Sequence, residues 1–303
     1  MNKVDILSEL EEKLGKGRIL VNEPLSSHAT FRIGGPANFY FTANSQDEII
    51  KAVKLSDNLH LPYFILGGGS NVLISDNGFK GLVIKNNCRG IKILSYKGKM
   101  EKGKIGIGDV LVEADSGASF NQLVRFSLEE NLEGLEEFLG LPGSVGGAVK
   151  VNAHWHDKRV RDFVIAQNNL NDNIILSVVF KLKKSNNKQS LWLKAKNVIE
   201  FRQKKHPTDS SAGCVFQNIQ KSQAMTIGTP EYTTSAGFLI EACGLKGLKE
   251  GNVQISPLHA NFIINLGGGK ATDVIKLIDI ITDKVQTRFG VKLKEEIIKV
   301  GDF

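Results

Sequence analysis

Cysteine is scarce in this chain: Cys88, Cys214 and Cys243 are the only three in 303 residues. The number is odd and no Cys-x-x-Cys pair occurs, so neither a disulfide framework nor a cysteine zinc site is indicated, and a reducing compartment fits best. Long apolar runs are missing as well. No stretch approaches ~18 uninterrupted apolar residues, so no membrane span is expected. Met1 to Leu14 reads as a charged amphipathic helix without the apolar block of a signal peptide. The expectation is a soluble cytoplasmic protein. Lys and Arg form no run with interleaved aromatics, so no nucleic-acid face is marked. The excess of 39 Lys+Arg over 32 Asp+Glu suits small anionic ligands such as nucleotides and phosphates, or is plain solvated surface. Prolines number only seven, whereas there are 31 glycines, above the usual share of ~7%. In an ordered chain such an excess serves tight turns or brings backbone close to a ligand. With 41% hydrophobic and 23% charged residues, wholesale disorder and collagen-like or coiled-coil architecture are excluded.

Helix and strand patterns alternate along three units, so the class is mixed α and β. Their cores run from about Val21 to Cys88, Gly90 to Leu182 and Ser210 to Phe303, with boundaries at 1–88, 89–205 and 206–303. Ser45 with Glu48, and Ser119 with Gln122, are capping-box patterns that open helices. Tyr63-Phe64-Ile65-Leu66 is short enough for a buried strand. Gly81-Leu82-Val83-Ile84, Ile174 to Leu182 and Phe262-Ile263-Ile264 are further strands. Gln189 to Lys205 is a basic helical connector. The last helix runs from Thr272 as N-cap to Phe289, with Val274, Leu277, Ile278, Ile281, Val285 and Phe289 on one face and Gly290 as its stop.

Two glycine clusters are candidates for ligand contact. Gly67-Gly68-Gly69-Ser70-Asn71 follows a strand directly and can turn its N–H groups toward an anion, with help from the Ser70 and Asn71 side chains. It is neither a Rossmann fingerprint nor a Walker loop. It reads equally as an ordinary turn. Leu141-Pro142-Gly143-Ser144-Val145-Gly146-Gly147-Ala148 is the second cluster, or a plain entry into a helix. Together they favour a long phosphate-bearing cofactor lying along the backbone.

These clusters, preceded by Thr30-Phe31-Arg32-Ile33-Gly34-Gly35-Pro36-Ala37, resemble the flavin-binding half of the UDP-N-acetylenolpyruvoylglucosamine reductase family. Further matches follow in the same order. They are Ser211-Ala212-Gly213-Cys214-Val215-Phe216-Gln217-Asn218, Gly237-Phe238-Leu239-Ile240-Glu241, Gly244-Leu245-Lys246-Gly247, His259 to Asn265, and Gly290-Val291-Lys292-Leu293. The resemblance spans roughly Pro24 to Gly301.

The resemblance implies an α+β fold. Residues 1–88 and 89–205 would be two FAD-binding subdomains of the vanillyl-alcohol-oxidase (PCMH) type, and residues 206–303 a substrate-binding domain. It implies noncovalent FAD, NADPH as hydride donor, and a UDP-sugar enolpyruvyl ether as substrate, reduced to UDP-N-acetylmuramate for peptidoglycan. No metal and no protein partner are implied. The length fits the compact form of the family, without a long tyrosine-bearing loop. Carried over by motif, Arg32, Ile33, Gly34, Gly67, Gly68, Gly69, Ser70, Asn71, Gly143, Ser144, Gly146 and Gly147 bind the cofactor. Gln217, Asn218, His259 and Asn261 face the substrate, with a structural role equally open for His259 and Asn261. The family's proton-donating serine is here Cys214, and a thiol, with a reference pKa of ~8.5, can fill that role. Glu296 matches the catalytic glutamate, and Glu295 is the neighbour it could be confused with.

The chain departs from the family at one charge. Ala166 stands where the catalytic arginine is expected, in a short stretch from Asn152 to Ile174 without the family's strand pair there. Arg159 and Arg161 lie nearby as substitutes, or are surface residues. Gln217 stands where relatives have lysine. His154-Trp155-His156 replaces a small-residue turn, and no acidic or cysteine partner makes it a metal site. Two other readings stay open: a catalytically weakened flavin- or nucleotide-binding relative, and another flavin oxidoreductase of the same fold.

Overall fold

The computed structural model describes residues 2–101 and 104–303. The chain divides into two compact units: Met1–Val21 with Phe39–Gly68 and Gly81–Lys204, and Asn22–Asn38 with Gly69–Lys80 and Lys205–Phe303. Two segments near the start of the sequence, each carrying a candidate motif, therefore belong to the unit built mainly from its last third.

The first unit holds two apolar cores. One gathers Phe39, Phe41, Ile49, Val53, Leu82 and Ile84, with helices α1 (Lys3–Leu14) and α2 (Gln46–Asn58). Its strand Tyr63–Leu66 pairs in parallel with Phe79–Asn86, in the register Leu66↔Lys85. The N–H of Glu48 donates to Ser45 Oγ at 3.2 Å, so Ser45 caps α2. The Glu48 carboxylate does not complete a capping box. It takes the Asn44 N–H at 2.8 Å and pairs with Arg18 at 2.6 Å.

The other core packs Val112, Phe120, Leu123, Phe138, Val145 and Phe180. Around it lie α3 (Phe120–Glu129), α4 (Val145–Lys150) and α5 (Lys188–Lys205). An antiparallel sheet runs in the order Val164–Asn171, Ile174–Lys184, Lys104–Asp115, Ile91–Glu101. The stretch before Ile174 is not bare loop: His154–Trp155 and Lys158–Arg159 form a small ribbon, and Val164–Asn171 is the sheet's edge strand.

The second unit centres on an antiparallel sheet in the order Ser211–Cys214, Phe262–Asn265, Val253–Ile255, Lys249–Glu250. Helices α6 (Lys221–Ile227), α7 (Ala236–Ala242) and α8 (Ala271–Phe289) accompany it. Phe31, Ile33 and Leu73 join the same core. Val72–Ile74 pairs in parallel with Ile298–Val300, which ties the early glycine segment to the C-terminal strand.

Of the expected stripe, helix α8 buries Val274, Leu277, Ile278, Ile281 and Val285, leaves Phe289 half-buried, and stops at Gly290, whose φ of +68° is left-handed. Its start differs from expectation. Thr272 is not the cap, because the helix already begins at Ala271. The Asp76 carboxylate accepts the N–H groups of Ala271 and Thr272 at 2.7 and 3.0 Å. A helix leaves its first N–H groups without internal partners. Here an anion from a distant turn supplies the acceptor, and its charge also suits the helix N-terminus.

Candidate active site

The two glycine clusters touch within the first unit. A Cβ on Gly67 would lie 2.3 Å from Ser144 Oγ, and one on Gly68 would lie 2.5 Å from Gly143 Cα. A side chain at Gly67 would have to turn the Ser144 hydroxyl aside, whereas one at Gly68 meets backbone and cannot be placed without moving it. The Lys85 ammonium, at the end of the paired strand, donates to the Gly67 carbonyl, and burial lowers its pKa. The motif reading missed Lys85; the one sequence signal was a lysine directly after the apolar run Leu82-Val83-Ile84. Ser144 caps α4, accepting the Gly147 N–H at 3.3 Å, and Gly146 donates to Ser116 O at 2.8 Å. The amides of Gly146 and Gly147 are thus spent inside the protein.

The turn continues as Gly69-Ser70-Asn71 in the second unit. Gly69 has φ +66°, and a Cβ there would meet His28 O at 2.2 Å. Among the described residues, no protein acceptor takes the N–H of Gly68, Gly69 or Ser70. Successive main-chain donors of this kind make an anion-binding concavity.

Within the second unit, motifs far apart in sequence are stitched together. Thr30 donates its N–H to Gly69 O at 3.0 Å and its hydroxyl to Ser211 O at 2.7 Å. Buried Asn265 donates to Phe31 O at 3.0 Å and to Arg32 O at 3.3 Å. That holds Arg32 at φ +54°, a conformation costing a non-glycine residue about 1–2 kcal/mol. The Arg32 side chain is exposed. Ile33 is core, and Gly34 passes so close to Ile74 that a Cβ would sit 2.6 Å from it. Thr30 and Asn265 lie inside motifs already recognised, yet only the distances reveal their roles.

The thiol and the acid belong to this web. Cys214 ends the strand Ser211–Cys214 and is half-buried. The Glu296 N–H donates to the carbonyl of Val215, the next residue, at 2.7 Å, and Gln217 N–H donates to Lys294 O at 2.8 Å. Glu295 and Glu296 then separate by environment. Glu295 pairs with Lys299 at 2.9 Å. The Glu296 carboxyl has no hydrogen-bond or ion-pair partner among the described residues, and burial raises its pKa to about 6. A carboxylic acid shifted this way keeps its proton toward neutral pH and can donate it. Burial also raises the other two thiols, Cys88 to about 11.

The four substrate candidates occupy different settings. Gln217 is exposed. Asn218 accepts the N–H of Ala236 at 3.2 Å, at the start of α7. Asn261 is buried and clamps Phe216 from both sides: Phe216 N–H donates to its Oδ1 at 2.9 Å, and its Nδ2 donates to Phe216 O at 2.8 Å. His259 packs edge-on against Phe262 and His206. Its Nδ1 accepts the Asn261 N–H at 3.2 Å, and burial, then Lys246, lowers its pKa.

In the first unit, Ala166 lies exposed on the edge strand, opposite Val179. Arg161 is not a free cation there: its guanidinium donates to Val149 O and Lys150 O, at 2.8 and 3.0 Å, satisfying the last carbonyls of α4. Arg159 is exposed on the ribbon. Trp155 packs against Phe201 and beneath Arg202, which gives the His-Trp-His turn a packing role. No group of three His, Cys, Asp or Glu among the described residues could hold a metal ion, and no described helix is long and apolar enough to cross a membrane.

Residues 205–300 match the family described as UDP-N-acetylenolpyruvoylglucosamine reductase, C-terminal domain, and residues 36–167 match an FAD binding domain. The UDP-N-acetylenolpyruvoylglucosamine reductase of Chloroherpeton thalassium is 35% identical over 311 residues, covering 94% of this chain and 94% of its own. That of Carboxydothermus hydrogenoformans is 33% identical and covers 100% of both chains. The crystal structure of the Thermus caldophilus enzyme of the same name superposes with a TM-score of 0.67 at 27% identity, over 93% of this chain and 98% of that one.

Proposed function

Because this chain belongs to the UDP-N-acetylenolpyruvoylglucosamine reductase family, we propose that it reduces the enolpyruvyl ether of UDP-N-acetylglucosamine to UDP-N-acetylmuramate, the committed precursor of peptidoglycan. NADPH is the electron source. Noncovalently bound FAD would supply the hydride chemistry that links NADPH to the substrate.

The residues present fit a diphosphate-bearing dinucleotide. Gly67 and Gly68 sit where any Cβ would collide with Ser144 or Gly143, Lys85 brings positive charge to the Gly67 carbonyl, and Gly68, Gly69 and Ser70 have N–H groups free for an anion. By motif, Gly143 and Ser144 of the first unit and Arg32, Ile33 and Gly34 of the second are the remaining cofactor candidates. Gly146 and Gly147 serve it as the tight entry into α4.

Hydride arriving at the substrate's methylene carbon leaves negative charge on the neighbouring carbon and its carboxylate. The second unit meets two needs of that step. Glu296, whose proton affinity burial raises, donates a hydrogen bond to the developing enolate from its protonated form. Cys214 delivers the proton to the carbon, and the Asn261 clamp and the Glu296–Val215 hydrogen bond fix the main chain on which the thiol sits. Gln217 and Asn218 contact the anionic substrate beside it, with His259 at the margin. The observation that carries this reading is Glu296: an acid pushed to about 6 by burial and held one hydrogen bond from the residue after the thiol.

Ala166 favours a second reading, a relative with weakened turnover, since losing a cation at a developing enolate costs a factor on the order of 10²–10³. One experiment separates the two. Purified protein should show flavin absorbance, and NADPH consumption should depend on added enolpyruvyl UDP-N-acetylglucosamine. Flavin reduced by NADPH but not reoxidised by substrate selects the second reading. Colourless protein that binds no FAD sinks both.

A further inference from the structure

The Glu296 carboxyl has no side-chain partner among the described residues, so its aim depends on its own main chain. That main chain is pinned on both sides. Its N–H goes to Val215 O at 2.7 Å. Its carbonyl accepts a hydrogen bond from Asn71 Nδ2 at 3.0 Å, across 225 residues of sequence. Two residues on, the Ile298 N–H donates to Asn71 O at 2.9 Å, and the parallel pairing Val72↔Ile298 follows at once. Asn71 is therefore spliced into the segment that carries the acid, by its side chain and its main chain together. On its other side it joins Ser70 and Gly69, whose N–H groups have no protein acceptor.

We propose that Asn71 is a positioning residue for Glu296. Its side-chain amide holds the acid's main chain so that the glycine turn and the acid keep one fixed geometry. The inference rests on the reading of Glu296 given above. It assigns the Asn71 amide to the acid rather than to a phosphate. The physical reason is leverage: a half-buried side chain without a hydrogen bond of its own swings with its backbone, and displacement by about 1 Å can cost a hundredfold in rate. Charged neighbours do not aim the carboxyl, because Glu295 and Lys299 pair with each other.

Asn71→Asp keeps the size but replaces the donor with an acceptor facing a carbonyl. Asn71→Ala removes the donor without adding charge and serves where the first variant folds poorly. Two readouts are compared with the unmodified protein. One is reoxidation of reduced flavin by the enolpyruvyl substrate, expressed per bound flavin. The other is titration of the Glu296 carboxyl in the cofactor-free protein, followed by carbon-13 NMR of labelled glutamate and assigned with Glu296→Gln. The expected result is reoxidation slowed at least about tenfold, with the Glu296 midpoint falling from about 6 toward 4.5 as the carboxyl relaxes into water. Wild-type reoxidation with an unmoved midpoint in both variants overturns the inference. Glu296→Gln separates the two possible failures. If it reoxidises at the wild-type rate, the reading of Glu296 is wrong. If it is slow while the Asn71 variants are fast, only the positioning role is wrong.

Discussion

Replacing Glu296 by Gln should stabilise the protein at alkaline pH while abolishing its use of the acid. Burial raises this carboxyl from 4.5 to about 6, so the folded state binds the proton more tightly than the unfolded chain. Below about 4.5 both states are protonated and the acid carries no penalty. Between about 4.5 and 6 the unfolded chain releases its proton first, and folding loses stability as pH rises. Above about 6 the whole penalty is present: about 2 kcal/mol, since each tenfold change in proton affinity is worth ~1.4 kcal/mol. Glutamine occupies the same volume with no charge to desolvate. Thermal unfolding of the two proteins should coincide near pH 4.5, and the variant should melt higher, by a few degrees, at pH 8. A variant no more stable than the parent at pH 8, or one equally stabilised at pH 4.5, would show that burial does not set the protonation of this acid. In the mechanism proposed above, the wild type keeps a destabilising acid because the reaction uses it, a trade commonly seen at catalytic sites.

Cys214→Ala should leave reduction of the bound flavin by NADPH intact and slow its reoxidation by the enolpyruvyl substrate about 10²–10⁴-fold; stopped-flow absorbance of the two half-reactions checks this, and unimpaired turnover removes the thiol from the mechanism. Gly68→Ala places a methyl 2.5 Å from Gly143 Cα, so the protein should lose about 1–3 kcal/mol and purify with less FAD, read from its visible spectrum and melting temperature. Asn261→Ala strips both Phe216 main-chain groups of their partner, which should cost about 1–3 kcal/mol for each buried group left unsatisfied, measured by denaturant unfolding.

Local pattern carried much of the fold. The apolar stripe of α8, the serine caps at Ser45 and Ser119, and the strand Tyr63–Leu66 were all legible, because each depends on residues within a few positions of one another. The misplaced start of α8 shows the limit. Nothing in Lys270-Ala271-Thr272 announces a cap at Asp76, since the two meet only after folding. The same holds for the assembly of units. Asn22–Asn38 and Gly69–Lys80 lie in the first third of the sequence yet pack with the last third, and no composition shift marks their crossing.

The candidate site divides along the same line. Its residue types, Glu296 among them, were read from the ordered motifs, but the different settings of Glu295 and Glu296 were not legible, because two adjacent acids differ only in what surrounds them. Lys299 claims the first, and burial isolates the second. The polar residues that hold the site, Thr30, Asn71, Asn261 and Asn265, act on main-chain carbonyls and amides of distant segments. Such bonds leave little trace in spacing. The absent arginine is the converse case: the sequence shows Ala166 plainly, and the nearest suspect, Arg161, proves to be spent on the carbonyls that end α4. Moving that guanidinium to an enolate would take a donor from both carbonyls and leave Val149 O with only the Asn152 N–H, so a compensating cation is better supplied by a residue with no such duty. In the mechanism proposed above, turnover without one rests on the buried acid and on the precision with which Asn71 holds its main chain.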